Sequence, residues 1–208
     1  MKEGLVLNPI TNEEIDSAMN YQEYLTLLDE LFAAGKTTGN DHSEAMLNYA
    51  KMNIQRMKRL NKTIELSDEL LKDIEDFDQK RKETIWFVIT EGWCGDAAQN
   101  IPLLNKIAEK SDKIELKLVL RDENLELIDA FLTNGGRSIP KVIILDKANL
   151  NVKTTWGPRA VPAQKMSAEF RKIPNGDYQE FNKTLQLWYA KDKTISMQKE
   201  MSSIIKEL

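Results

Sequence analysis

Cys94 is the only cysteine in the chain and the residue best suited to covalent chemistry. It lies in the segment Gly92–Ala97, where a continuous apolar run ends and a helical stretch begins. At such a junction the unpaired N–H groups and the positive end of the helix dipole favour the thiolate, which is the nucleophilic form of cysteine. The alternative interpretation is structural, because a lone cysteine is more often a small buried hydrophobic residue.

The elements around Cys94 are predicted from the pattern of apolar and polar residues after position 83. Residues 84–90 form a continuous β-rich apolar run, which is typical of a strand buried on both faces. The rest of the chain predicts a helix to about Lys110, a strand at Ile114–Leu120, a helix near Asn124–Thr133, strands at Lys141–Leu145 and Asn151–Thr155, a polar proline-containing connection and a final helix from about Asp177. The first two strands are expected to be parallel and the last two antiparallel. The predicted class is therefore α/β, with a central mixed sheet in the order β-α-β-α-β-β-α.

The first third of the chain predicts a helical extension of the α/β part. Capping sequences at Thr11, Asp41 and Ser67 mark three helix starts, and apolar residues follow them at helical spacing. A glycine-containing loop at residues 35–40 separates the first helix from the second. We therefore expect an N-terminal three-helix extension at residues 1–83 and a second domain at residues 84–208.

The second domain resembles the thioredoxin family at four points. Trp93-Cys94-Gly95 matches the start of that family's Trp-Cys-Gly-Pro-Cys motif, and Pro102 matches the proline of its active-site helix. Ile139-Pro140 matches the family's cis-proline loop beside the catalytic cysteine, and Gly157 matches a recurrent glycine. Flanking segments also resemble a group of bacterial thioredoxin-like proteins that have an N-terminal helical extension. The resemblance covers about residues 84–190 and implies a thioredoxin fold.

Departures from the family motif limit the activity that the resemblance implies. Ala97 stands where the family has its second cysteine, and Asp96 replaces the intervening proline. A dithiol mechanism needs a second thiol to expel the mixed disulfide, so the isolated chain is not expected to perform it. Val88 occupies the position of the family's buried acid, which assists that second thiol. Monothiol chemistry remains, in which Cys94 forms a mixed disulfide or is oxidised to a sulfenic acid.

The resemblance also implies substrate-binding residues. In the family, the cis-proline loop offers backbone groups to an extended substrate, so we expect Ile139 and Pro140 to bind the substrate. Trp93 is expected to contribute an apolar contact, Gly95 would allow another chain to approach closely, and Asp96 is expected to belong to the same substrate-binding set. The structural alternative for Pro140 is a rigid turn that enters a strand.

Charged residues near Cys94 have opposed expected effects. Asp96 in the first helical turn stabilises the helix, while its charge opposes a nearby thiolate. Arg137 would lie near Cys94 if the loop resembles the family's, and it could then offset the charge of Asp96.

The segment Trp156–Arg159 is predicted to be a turn, with a wall of the site as the alternative. The basic segment Lys51–Arg59 is predicted to combine core methionines with a solvated basic face, with a partner-binding helix as the alternative.

Two functions therefore remain open on the sequence. The first is a monothiol thiol–disulfide oxidoreductase acting in cell redox homeostasis, whose partners are a client protein or low-molecular-weight thiol and an external resolving thiol. The second is a non-catalytic module that binds a peptide or protein in the same groove, with Cys94 as a wall residue. Ala97 favours the second function, whereas the combination of Trp93, Cys94, Gly95 and Pro140 favours the first.

Composition and motifs exclude several other classes. A net charge of −4 argues against nucleic acid as a partner, and no apolar run approaches the ~20 residues of a membrane span. One cysteine cannot form an intramolecular disulfide, which favours a reducing compartment and hence the cytoplasm. A single histidine, His42, and a single cysteine cannot supply a usual four-ligand zinc site. Because nucleotide-binding glycine motifs are also absent from the sequence, we expect no metal and no cofactor.

Overall fold

A four-stranded sheet forms the centre of the computed structural model, which describes residues 9–80 and 82–208. Its strands are β1 (Thr84–Thr90), β2 (Ile114–Leu120), β3 (Lys141–Asp146) and β4 (Val152–Trp156). The spatial order is β2-β1-β3-β4, with β1 parallel to β2 and antiparallel to β3, and β3 antiparallel to β4. The four predicted strands and the mixed α/β class are confirmed, with boundaries that differ by one residue at most.

The central strand β1 is buried along its whole length, as its unbroken apolar sequence predicts. Trp86, Phe87, Val88 and Ile89 are fully shielded from solvent. Burial of each such side chain contributes about 1.5–3 kcal/mol relative to an exposed position, so β1 anchors the core. The chain leaves this rigid strand at Thr90 and reaches Cys94 four residues later.

Helices after β1 differ from the prediction in number and length. They are α5 (Gly95–Ala108), α6 (Leu125–Asp129), α7 (Val161–Phe170), α8 (Tyr178–Asp192) and α9 (Ile195–Glu207). The helix expected near residues 124–133 is limited to the five residues of α6, and the connection expected before residue 177 contains α7. The expected final helix is divided at Lys193 and Thr194, which both adopt left-handed backbone conformations.

The N-terminal extension contains four helices among the described residues rather than the three predicted. They are α1 (Asn12–Ser17), α2 (Tyr21–Ala33), α3 (Glu44–Thr63) and α4 (Asp68–Lys80). The expected first helix is interrupted because Met19 forms a two-hydrogen-bond bridge with Leu118 of β2, at 2.9 and 2.8 Å. Residues 1–8 and 81 of the predicted extension lie outside the described residues.

The helical extension packs directly on the α/β part. Helix α3 lies against α5, and the buried Asn53 of α3 donates its Nδ2 hydrogen to the Gly92 carbonyl at 2.9 Å. Helix α4 packs against α9 at the other end of the chain, where Ser202 Oγ donates to Asp73 Oδ2 and Gln198 Nε2 donates to the Glu65 carbonyl. One hydrophobic core includes residues from both parts. Within the described residues, no helix is long and apolar enough to cross a membrane.

Candidate active site

Cys94 is the N-cap residue of α5, as the junction between a strand and a helix predicts. Its backbone is extended, with φ −77° and ψ 115°, and its carbonyl accepts the first helical hydrogen bond from Ala98 N at 3.1 Å. The sulfur accepts a hydrogen bond from Ala97 N at 3.5 Å, so it satisfies one of the unpaired N–H groups of the helix. The thiol therefore faces the positive end of α5.

The Cys94 thiol is nonetheless protonated at rest. The residue is only 8% exposed, and its Sγ donates to the Ile139 carbonyl at 3.4 Å. Burial raises the pKa of Cys94 to about 12, and the Asp96 carboxylate acts in the same direction. The N–H groups of Ala97 and Asp96 and the charge of Arg159 lower this pKa only in part. Desolvation thus outweighs the helix N-terminus that the sequence suggested would favour the thiolate.

Asp96 forms a buried ion pair beside Cys94. Its Oδ2 lies 2.6 Å from Arg159 Nη2, and its Oδ1 accepts from Tyr189 OH at 2.8 Å. Burial raises the pKa of Asp96, while Arg159 and Tyr189 oppose that effect. Burial alone would lower the pKa of Arg159, but the Asp96 charge offsets this and raises it. The pair fixes the first turn of α5 against the Pro158–Arg159 turn and against α8.

A cavity of about 350 Å³ opens at the Cys94 sulfur. It is lined by residues 93–96 at the start of α5, by Met46, Tyr49 and Arg56 of α3, by Arg121, by residues 137–139, by Pro158 and Arg159, and by Tyr178, Asn182, Leu185 and Gln186 of α8. Helices α3 and α8 therefore form walls of this cavity. The volume suits a small molecule.

Four arginines line the cavity, and three of them have carboxylate partners. Arg159 pairs with Asp96. Arg121 Nη2 lies 2.7 Å from Asp122 Oδ1, and Arg137 Nε lies 2.6 Å from Asp129 Oδ1. The fourth, Arg56, donates from Nη1 to Asn53 Oδ1 at 2.8 Å and forms no ion pair with any described Asp or Glu. Burial lowers the pKa of Arg56, and the charge of Arg59 adds to this effect.

The structure brings most of the predicted site residues together around Cys94. Trp93, Gly95, Asp96 and Ile139 line the same cavity, and Arg121 lies over the Trp93 ring at 4.9 Å from its centroid. Pro140 follows Ile139 through a cis peptide bond and does not itself line the cavity.

Two other predicted features lie at the edge of this site. Arg137 lines the cavity but is exposed and held by two 2.6 Å hydrogen bonds to Asp129. Its predicted effect on Cys94 stays a prediction, while Arg159 is the arginine that contacts Asp96. Gly157 has φ +116°, and a Cβ atom there would lie 2.2 Å from the Pro140 carbonyl oxygen. The close approach of these two segments therefore requires glycine.

Several residues of the site were absent from the sequence prediction. Arg56 lies within the Lys51–Arg59 segment, where core methionines and a solvated basic face were expected. Met57 is buried as expected, but Met52 is 39% exposed, and Arg56 faces the cavity rather than a solvated surface. Arg159 belongs to the segment for which a site wall was the alternative to a turn, and it does line the cavity. Tyr189 and Gln186 follow no recognisable motif. Among residues 9–80 and 82–208, no three His, Cys, Asp or Glu side chains form a group that could hold a metal ion.

Comparisons with known proteins agree with this architecture. A family model described as Thioredoxin matches residues 39–171, which is more than half of the chain. The structure is similar to that of an HIV epitope-scaffold protein, with a TM-score of 0.60 and 16% identity over 95% of this chain and 98% of that chain. It is also similar to a protein of unknown function from Pseudomonas aeruginosa, with a TM-score of 0.58 and 15% identity over 94% of this chain and 96% of that chain. No curated protein matches the chain. The two structural similarities concern the fold alone, and they include the helical extension.

Proposed function

Because the chain belongs to the thioredoxin family, we propose that it is a monothiol thiol–disulfide oxidoreductase in which Cys94 forms a mixed disulfide. The observation that supports this proposal most directly is the position of the sulfur. Cys94 Sγ lies at the N-terminus of α5, beside the loop that contains Ile139, and at the wall of a cavity large enough for a small molecule.

The proposed reaction is a two-step exchange. The Cys94 thiol loses its proton, and the thiolate attacks a substrate disulfide R–S–S–R′, forming Cys94–S–S–R and releasing R′–S⁻, which takes up a proton to give R′–SH. An external thiol R″–SH then attacks the mixed disulfide, forming R–S–S–R″ and restoring the Cys94 thiol. The external thiol is required because the chain contains no second cysteine. A reducing compartment such as the cytoplasm would supply it, in keeping with a role in cell redox homeostasis.

The neighbours of Cys94 have distinct proposed roles. Trp93, Gly95 and Asp96 line the cavity from the helix side, and Ile139 lines it from the neighbouring loop, with Pro140 next to it in that loop. The Ile139 carbonyl holds the resting thiol at 3.4 Å, so it must release the S–H group before the sulfur attacks. With a pKa of about 12, only a small fraction of Cys94 is thiolate at neutral pH, and we expect slow exchange.

A non-catalytic binding module is the second candidate function. The raised pKa of Cys94 favours it, because a protonated and almost fully buried thiol behaves as an apolar wall residue. In this case the cavity would bind its ligand without covalent change, and Cys94 would be replaceable by alanine or serine.

Trapping of a mixed disulfide distinguishes the two candidates. The native protein is incubated with a small disulfide, and the mass of the intact chain is followed with time, together with the rate of iodoacetamide alkylation against pH. We expect a single adduct at Cys94 that an added thiol removes, while the Cys94→Ser variant gives none. Labelling that occurs only when the protein is unfolded would reject the oxidoreductase and leave the binding module.

A further inference from the structure

Two hydrogen-bond donors without acidic partners stand at one corner of the cavity, beside the first residue of α5. A Cβ atom added to Gly95 would lie 3.8 Å from Arg56 Nη1 and 3.1 Å from Gln186 Nε2. The side-chain carbonyl oxygen of Gln186 accepts from Gln99 Nε2 at 2.8 Å, so this bond does not use the Nε2 hydrogens of Gln186. These donors come from α3 and α8, and they meet next to the residue that follows Cys94.

Arg56 is held in place by buried contacts rather than by a charge. Asn53 is fully buried and bonded to the Gly92 carbonyl, and its Oδ1 accepts from Arg56 Nη1. Among the described residues the other three arginines of the cavity are neutralised by Asp or Glu, whereas Arg56 is not. Its guanidinium is partly buried, so an uncompensated charge there is unfavourable unless an anion binds. A carboxylate matches the planar guanidinium geometry.

The surroundings of Cys94 favour a small molecule over a peptide strand. Ile139 is only 6% exposed, and its carbonyl is already engaged by the Cys94 thiol. A strand-like client needs such backbone groups to be free. In addition, α3 and α8 form walls of the cavity at Cys94 and limit its volume to about 350 Å³.

We propose that the substrate is a low-molecular-weight disulfide with a carboxylate group, which Arg56 and Gln186 bind while its sulfur meets Cys94. This inference rests on the proposed function, because it names the substrate class of the same site. The carboxylate lies beside Gly95, and the substrate disulfide lies at the Cys94 sulfur. Attack by the Cys94 sulfur releases one half of the substrate as a thiol, and the carboxylate-bearing half stays attached until an external thiol removes it.

A set of small disulfides that differ in charge tests this assignment. The native protein is treated with anionic 3,3′-dithiodipropionate, neutral bis(2-hydroxyethyl) disulfide and cationic cystamine, and adduct formation at Cys94 is followed by intact mass. Each rate is divided by the rate of the same disulfide with the urea-unfolded chain, which removes differences in intrinsic reactivity. We expect the anionic disulfide to react about tenfold faster than the neutral one, because a hydrogen bond to a charged group strengthens binding by about tenfold or more.

Two arginine variants on one helix make the test specific. Arg56→Gln is expected to abolish the preference for the anionic disulfide. Arg59→Gln, three residues further along α3 and exposed to solvent, is expected to retain it. Equal normalised rates for the three disulfides, or a preference that survives Arg56→Gln, would overturn the carboxylate assignment and leave the mixed-disulfide function intact. Absence of any adduct in the folded protein, with normal labelling after unfolding, would overturn both.

Discussion

Replacement of Asp96 by asparagine is expected to activate Cys94. The Asp96 carboxylate raises the pKa of the thiol, second only to burial, and Arg159 lowers it. In Asp96→Asn the negative charge disappears and Arg159 is left without its partner beside the sulfur. Both changes stabilise the thiolate, so the pKa of Cys94 should fall.

The size of this effect follows from the charge removed. At an effective dielectric constant of about 20, a unit charge at an assumed separation of about 6 Å contributes about 2.8 kcal/mol, which corresponds to about two pKa units. The thiolate fraction at neutral pH then rises about 100-fold, while the lower basicity reduces the nucleophilicity of each thiolate by about tenfold. We therefore expect iodoacetamide to alkylate Asp96→Asn about ten times faster than the parent protein at pH 7.5.

The partner variant Arg159→Gln provides a matched control. It breaks the same buried ion pair, and loss of one partner of such a pair costs about 3–5 kcal/mol in either variant. If charge controls the pKa of the thiol, iodoacetamide alkylates Asp96→Asn faster than the parent protein and Arg159→Gln more slowly. Thermal unfolding verifies that both variants remain folded at the assay temperature. Acceleration in both would show that the site merely opens, and an unchanged rate in Asp96→Asn would refute the electrostatic explanation.

Three further substitutions give expected outcomes away from the thiol itself. Gly157→Ala should lower the free energy of unfolding by about 3 kcal/mol or more, measured by thermal denaturation, because its Cβ would lie 2.2 Å from the Pro140 oxygen at φ +116°; a stability equal to the parent's would contradict this packing. Burial raises the pKa of Glu91, so stability should decline as pH rises above about 4.3, the value in the unfolded chain; Glu91→Gln should make that decline smaller in urea titrations between pH 4 and 8, and the rest of it is expected from Asp96, whose pKa burial also raises. Tyr189→Phe removes a 2.8 Å hydrogen bond to Asp96 and should destabilise the protein by about 1–3 kcal/mol in the same titrations, whereas no change would show that water replaces the hydroxyl.

The sequence predicted the strands accurately because their signal is local. Each strand is a short run of apolar or alternating residues, and β1 is apolar on both faces because it is buried on both faces. The helices were less predictable where tertiary contacts or unusual backbone conformations determine where a helix ends. Met19 leaves the helical pattern to pair with Leu118, and the break at Lys193 and Thr194 uses left-handed residues without the glycine that usually marks one. The polar, proline-containing sequence before residue 177 suggested a connection, yet Pro162 lies in the first turn of α7, where proline is compatible with a helix.

The residues of the candidate site were also predictable only where the signal is local in sequence. Trp93, Cys94, Gly95 and Ile139 come from motifs that are contiguous in sequence, and the structure places all four around one cavity. The charge environment could not be predicted, because Arg56 comes from a helix whose docking on α5 depends on the whole fold. The sequence also gave no measure of burial at Cys94, and burial is the larger influence on its pKa.

The contact between α4 and α9 has a consequence for synthesis on the ribosome. Ser202 reaches Asp73 across 129 residues, and Gln198 is bonded to the Glu65 carbonyl and to Ser67 N. At a translation rate of about 5–20 residues per second, α4 emerges roughly ten seconds before α9. During that interval α4 lacks one of its packing surfaces, so its apolar face is exposed to solvent unless a chaperone covers it. Helix α4 therefore completes its packing only after the last helix of the chain has been made.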